Sequence, residues 1–383
     1  MKIVDVRYFR LGGSAPYDPR TFWEERLVQP VDIYPKWRET GPRYILPEPF
    51  YQNFLEIVSD DGVSGIYGPI ADNILSIVLN NLRPYLLDED PFATEKLWDI
   101  MYRSQVHGRK GETMFAISAA DIALWDLKGK AVGQPVTRLL GGPTREQIPA
   151  YASTLGRSLE PEAVVKACRE YAEEGYSAMK WFFRYGPGSG STGVERNLQL
   201  VKTIRDTVGY GMGLMLDCWM SWTVPYTLKM AKLLERYEPR WLEEPLLPDE
   251  IDGYAELNKC SPIPISGGEH EYTRWGVREL LKRKAVSVLQ TDVTWCGGIS
   301  ETLKICALAS AEGIPVIPHA GWSEPSLSII FSQPEPVCPM VEYLVKWGFL
   351  QQHFLGHHKP EKGYYRPPTG LGVGYTPEMD KKL

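Results

Sequence analysis

Gly213-Leu-Met-Leu-Asp217, Trp241-Leu-Glu-Glu-Pro245 and Ile265-Ser-Gly-Gly-Glu269 are short runs that each end in or just past a carboxylate. The acids at 217, 243 and 269 are spaced by 26 residues and again by 26. Working outward, further apolar runs fall at 148–152 and 178–182 upstream and at 286–291 and 315–318 downstream. Amphipathic stretches at 162–174, 195–208, 225–237, 275–282 and 300–312 fill the intervals at helical spacing. Continuous apolar strands alternating with helices predict a parallel α/β sheet. Seven repeats favour a closed (β/α) barrel over an open doubly wound sheet, and no Gly-x-Gly-x-x-Gly turn follows any strand.

One strand–helix step of a barrel brings the chain back to the same rim. Evenly spaced strand-end acids therefore stand side by side on the C-terminal face, where barrel enzymes work. A single such acid is ordinarily a solvated charge or a helix cap. Three together repel one another unless a cation neutralises them. All-oxygen donors suit Mg²⁺ better than zinc, which makes Asp217, Glu243 and Glu269 candidate ligands for one Mg²⁺. Two later strand ends carry Asp292 and His319, again one repeat apart. An aspartate beside an imidazole fixes its tautomer and raises its proton affinity, as a general base requires. A cation that stabilises an enolate, opposite such a base, is machinery for removing a proton alpha to a carboxylate.

The rest of the chain sets bounds on this reading. Its 383 residues, at roughly 150 per domain, suggest two domains or one barrel with an appendage. With 42 basic against 48 acidic residues the net charge is −6, which excludes a nucleic-acid footprint and an acidic tail. No stretch approaches the roughly 18 apolar residues of a membrane helix, and residues 1–11 alternate like a strand rather than a signal peptide. Six scattered cysteines without a Cys-x-x-Cys pair predict free thiols in a reducing, cytoplasmic compartment. Before Gly141-Gly-Pro143 the pattern is mixed: strands at 7–11 and 54–59, a turn at Asp60-Asp-Gly62, and helices at 72–82, 92–102 and 113–130. Residues 12–49, rich in Pro, Gly and aromatics, read as a lid.

The five residues Asp217, Glu243, Glu269, Asp292 and His319 resemble, in type, order and spacing, the metal ligands and Asp–His dyad of the enolase superfamily, mandelate racemase subgroup. Ala123-Leu-Trp-Asp-Leu-Lys-Gly-Lys130 and Leu139-Leu-Gly-Gly142 resemble its junction of cap and barrel. Met215-Leu-Asp-Cys-Trp-Met-Ser221, Gly267-Gly-Glu-His270 and Asp292-Val-Thr-Trp-Cys-Gly-Gly298 are similar to the L-rhamnonate dehydratases and related acid-sugar dehydratases. The resemblance implies an α/β fold, a modified (β/α)7β TIM-type barrel with an α+β capping domain. Its expected divisions are a cap over 1–125 with the loop 12–49, a barrel over 126–345, and a segment over 346–383 that returns to the cap. It also implies a homo-oligomer, with an octamer one form of it, and a small acid sugar as the only partner, with neither nucleic acid nor membrane.

The reaction implied is loss of the C2 proton and the 3-hydroxyl from an aldonic acid, giving a 2-keto-3-deoxy acid. Cycloisomerase or epimerase chemistry on the same scaffold is the alternative, and non-catalytic binding of an acid sugar a remoter one. Glu342 matches a strand-end glutamate that hydrogen-bonds the substrate carboxylate, and Arg43 a substrate-binding arginine of the loop. His270 matches a histidine of the dehydratase site, or else supports Glu269 by a hydrogen bond. The superfamily's paired lysines appear as Lys180-Trp-Phe182, so the second is missing. That argues for one-base elimination over two-base racemisation. Lys180 is then expected to contact the carboxylate or enolate, or to be a buried lysine paired with a barrel acid. Phe22-Trp23 stands where the dehydratases carry a lid histidine, which makes Trp23 a candidate substrate contact. His107, His353, His357 and His358 read as surface or packing residues.

Overall fold

The computed structural model describes residues 1–13, 22–40, 50–320, 323–356 and 359–383. Strands β1 (Ile3–Gly13), β2 (Phe50–Ser59) and β3 (Ser64–Ile70) form an antiparallel sheet in that order. Its buried side chains pack on the helix Glu112–Ala131, most of whose residues are buried. The remaining strands are β4 (Ile148–Ser153), β5 (Ala178–Phe182), β6 (Gly213–Asp217), β7 (Trp241–Glu243), β8 (Ile265–Gly267), β9 (Val288–Leu289), β10 (Val341–Leu344) and β11 (Tyr364–Tyr365). Seven of these run parallel in the order β10-β4-β5-β6-β7-β8-β9, with β11 antiparallel on β4. A parallel bridge from Leu289 to Val316 continues the curl.

Alternation along each strand decides what faces inward. Tyr151, Ala178, Met215, Trp241, Ile317 and Met340 form one buried cluster inside the curled sheet. Two residues further along their strands, the same faces carry Ser153, Lys180, Asp217, Glu243, His319 and Glu342. The registers Phe182↔Asp217, Asp217↔Glu243 and Glu243↔Ser266 set the strand ends at one level. The barrel is thus apolar below and charged at its C-terminal rim. Helices Pro161–Glu173, Gly190–Val208, Val224–Leu234, Ile251–Cys260, Thr273–Lys282 and Gly298–Ala311 bury one face each against its outside.

Three local expectations change. The apolar run 315–318 contributes only the single bridge at Val316, because Pro315 and Pro318 have no N–H to give a ladder. The predicted helix 72–82 is divided into the helix Asp72–Ile77, a wider turn Val78–Leu82, and a helical turn Arg83–Leu86. Helices Ser323–Ser332 and Val345–Leu355 and the strand β3 were not anticipated by the apolar periodicity.

Segment 22–40 docks on the barrel rim. Val28 N–H donates to Phe183 O (2.7 Å) and Glu24 N–H to Gly156 O (2.8 Å). Trp23 packs with Phe22 and Trp347. A Cβ on Gly156, whose φ is +81°, would lie 2.6 Å from the Trp23 ring, so this close approach requires glycine. At the far end of the chain, Leu383 N–H donates to Arg10 O (2.9 Å) and Val373 N–H to Asp126 Oδ1 (2.9 Å). No helix among the described residues is long and apolar enough to cross a membrane.

Candidate active site

Two neighbouring groups of side chains occupy the rim. In the first, the Lys180 ammonium binds Glu243 and Glu342 (2.8 Å to the latter) and lies 3.8 Å from Asp217 Oδ2. The other Glu243 oxygen accepts from Gln290 Nε2 (2.7 Å) and Trp241 Nε1 (3.0 Å). Burial works against the charge on Lys180, yet Glu243 and Glu342 outweigh it and hold the ammonium well above its ordinary pKa. For Glu342 burial is likewise outweighed, by Lys180 and His319, and the carboxyl is held low. So held, Glu342 pairs with the Lys180 ammonium through one oxygen and accepts from Ala320 N–H (3.2 Å) through the other. It donates a hydrogen bond to a substrate carboxylate only in its protonated form.

In the second group, His319 Nδ1 lies 2.7 Å from Asp292 Oδ2, and its Nε2 turns toward Glu269, 3.9 Å away. Burial disfavours the imidazolium, but the Glu269 charge and the hydrogen bond that His319 donates to Asp292 raise its pKa well above the ordinary value. His270 Nδ1 is 2.7 Å from Glu244 Oε2 and 3.6 Å from Glu269. The main partner of His270 is therefore Glu244, not the Glu269 expected for a supporting role. Burial lowers the His270 pKa and Glu244 raises it more, to about 9. The Trp295 ring stands between the two imidazoles, 4.9 Å from His319 and 5.7 Å from His270, and Trp219 faces His270 from the side. Phe115, on the helix Glu112–Ala131, stacks behind Trp295 at 5.3 Å.

The expected metal ligands are divided between these groups, Asp217 and Glu243 with Lys180, and Glu269 with the histidines. Among the described residues, a compact trio of ligand atoms lying within 4.8 Å of one another is Glu244, Glu269 and His270. Since Glu244 and His270 close on each other, that trio is an ion-paired imidazole beside Glu269. Asp217, Glu243, Glu244, Glu269, Asp292 and Glu342 are all buried, and they face one lysine and two imidazoles. Burial, then Glu243, pushes the Asp217 carboxyl well above the ordinary range. Burial lifts Glu269 to about 7, against the pull of His319. Buried oxygen donors with too little positive charge around them suit a hard divalent cation.

Phe182, buried and level with Asp217, occupies the position where a second lysine would point inward. Trp23 lies over Gly156 on the rim after β4. Arg43 lies outside the described residues, as do His357 and His358; His107 is exposed, and His353 packs on Phe354. Sequence reasoning passed over Glu244, Gln290, Thr294, Trp219 and Trp295. Glu243-Glu-Pro245 carries a second acid but no sign of its direction, whereas Gln290 could have been found as an inward position two residues beyond Val288.

Residues 163–381 match the enolase C-terminal domain-like family, and residues 52–141 the N-terminal domain of mandelate racemase / muconate lactonizing enzyme. An L-rhamnonate dehydratase of Saccharopolyspora erythraea is 34% identical over 397 aligned positions, covering 99% of this chain and 98% of the relative. The crystal structure of rhamnonate dehydratase from Gibberella zeae complexed with Mg superposes with a TM-score of 0.85 at 30% identity, covering 100% of this chain and 96% of that one. The 3,6-anhydro-D-galactonate cycloisomerase from Zobellia galactanivorans superposes at 0.81 with 28% identity, over 100% and 98%.

Proposed function

The chain belongs to the mandelate racemase / muconate lactonizing enzyme group of the enolase superfamily, and from that premise we propose that it is an acid-sugar dehydratase. It is a hydro-lyase that converts an aldonic acid to the 2-keto-3-deoxy acid. The observation that carries this reading is the His319–Asp292 contact of 2.7 Å, with the other imidazole nitrogen turned to the buried acids.

Asp217, Glu243 and Glu269 would hold one Mg²⁺, which when bound supplies positive charge to the substrate carboxylate and to the negative charge that develops there. The burial of these donors and the Mg-bound Gibberella relative support that assignment. The Nδ1–H of His319 donates a hydrogen bond to Asp292, which fixes the tautomer, so that the neutral ring offers Nε2 to take the proton from C2. The imidazolium then returns a proton to the departing 3-hydroxyl, water leaves, and the enol tautomerises to the ketone. Lys180, kept charged by Glu243 and Glu342, presents its ammonium to the carboxylate end. His270, Trp23 and Arg43 are read as substrate contacts. The division into cap (1–125), barrel (126–345) and returning segment (346–383) goes with the same reading. Six free cysteines support a reducing, cytoplasmic setting, and the protein is read as a homo-oligomer.

His319→Asn is expected to abolish both dehydration and exchange of the C2 proton with D₂O in the presence of Mg²⁺. Retained exchange would move the base elsewhere. A screen of mono- and diacid sugars, L-rhamnonate included, is expected to release 2-keto-3-deoxy acid. Turnover without that product would make the protein a cycloisomerase or epimerase instead.

A further inference from the structure

Beyond Asp292 the chain turns through Val293-Thr-Trp-Cys-Gly-Gly298 into the helix Gly298–Ala311. Thr294 donates twice to Asp292 Oδ1, from its backbone N (2.6 Å) and from its hydroxyl (2.7 Å). Only Oδ2 is left for His319, so Thr294 sets the plane of the carboxylate that aims the imidazole. The other end of this turn is fastened to two helices outside the barrel. Gly297 N–H donates to Ser118 Oγ (2.9 Å), and Gly297 O accepts from Trp98 Nε1 (2.7 Å). Ser300 donates to Asp121 from both its backbone N (2.9 Å) and its hydroxyl (2.6 Å), while Trp125 Nε1 donates to Ser300 Oγ (2.9 Å). All these side chains are buried. Gly297 and Gly298 have φ of +130° and +82°, and a Cβ on Gly298 would lie 2.4 Å from Asp121 Oδ2. The turn thus comes as near to the helix Glu112–Ala131 as a backbone can. From β3, the Tyr67 phenol approaches Thr294 and feels the Asp292 charge.

We propose that Thr294 is a positioning residue for the proton transfer, and that Trp98, Ser118 and Asp121 hold its turn so that the helices 94–104 and 112–131 aim the imidazole of His319. The N-terminal part of the chain is then a component of the proton-transfer apparatus as well as a cover. The proposal rests on the reading of Asp292 and His319 as the base.

Thr294→Val keeps the side-chain shape and removes one hydrogen bond. Its kcat is expected to fall about tenfold or more with KM changed less than about twofold, and Thr294→Ser to recover most of the loss. If the valine protein does not accumulate, Thr294→Ala replaces it. Trp98→Phe, which touches no reacting group, is expected to lower kcat about threefold or more at unchanged KM. Each rate is taken per folded, Mg²⁺-loaded site, so simple loss of stability does not mimic the effect. A Thr294→Val protein with wild-type kcat, or a serine variant no better than valine, overturns the role of Thr294. Wild-type kcat in Trp98→Phe overturns the role of the helices. If His319→Asn still exchanges the C2 proton, the base reading itself falls and this proposal with it.

Discussion

His270 shows how one neighbour decides the charge of a side chain. Burial alone would keep the imidazole neutral, and Glu244 reverses that to give a pKa of about 9. Replacing Glu244 by Gln removes the anion and keeps the shape. In the Mg²⁺-free protein, the ring titration followed by NMR is expected to move from about 9 toward or below the ordinary 6.5. A titration left near its original value would mean that Glu269 sustains the charge. Residues of this kind were hard to read beforehand. The placement of Asp217, Glu243, Glu269, Asp292 and His319 on one rim was legible because each stands at or just past an apolar run at a nearly regular interval. Glu244 was not, since nothing in Glu243-Glu-Pro245 says that its backbone adopts a left-handed φ of +38°. That turn sends the second acid toward His270.

At the scale of elements, the helix Glu112–Ala131 meets the helix Gly298–Ala311 through Asp121. Burial raises this carboxyl to about 7, with the Ser300 hydrogen bonds pulling the other way. Because the folded pKa exceeds the unfolded one, the unfolded chain ionises first. The part of the stability that depends on Asp121 is therefore undiminished below about pH 4, falls as pH rises to about 7, and stays low above it; the loss is on the order of a few kcal/mol. Asp121→Asn is expected to flatten that part of the denaturant-midpoint profile against pH, and an unaltered slope would assign it to other groups. The strands of the barrel were legible as short continuous apolar runs, and its outer helices from their period of 3.6. Elements without that signature were not: β3 carries Gly65, Gly68 and Pro69 in its seven residues, and the contacts of the chain's last residues with β1 depend on tertiary structure alone.

For the whole molecule, the barrel rim is a store of unfavourable charge that a cation relieves. Burial raises both Asp217 and Glu269, so the metal-free protein should lose stability as pH rises through about 7, where Glu269 ionises. Mg²⁺ at about a hundredfold over its Kd adds on the order of 2.7 kcal/mol if it binds only the folded state. Since the ligands must be ionised, the gain is expected to be larger at pH 8 than at pH 6. Thermal melts with and without Mg²⁺ at the two values measure it, and equal gains would exclude these carboxyls as the ligands. The buried Phe182 has a consequence for the stereochemistry of the product. With the hydrocarbon ring of Phe182 where a second lysine would stand, and with His319 as the single base of the proposed reaction, hydrogen and hydroxyl are expected to depart from the same face of the sugar acid. A syn elimination is therefore the expected outcome, to be read by deuterium labelling, with its geometry set by which strand carries the base.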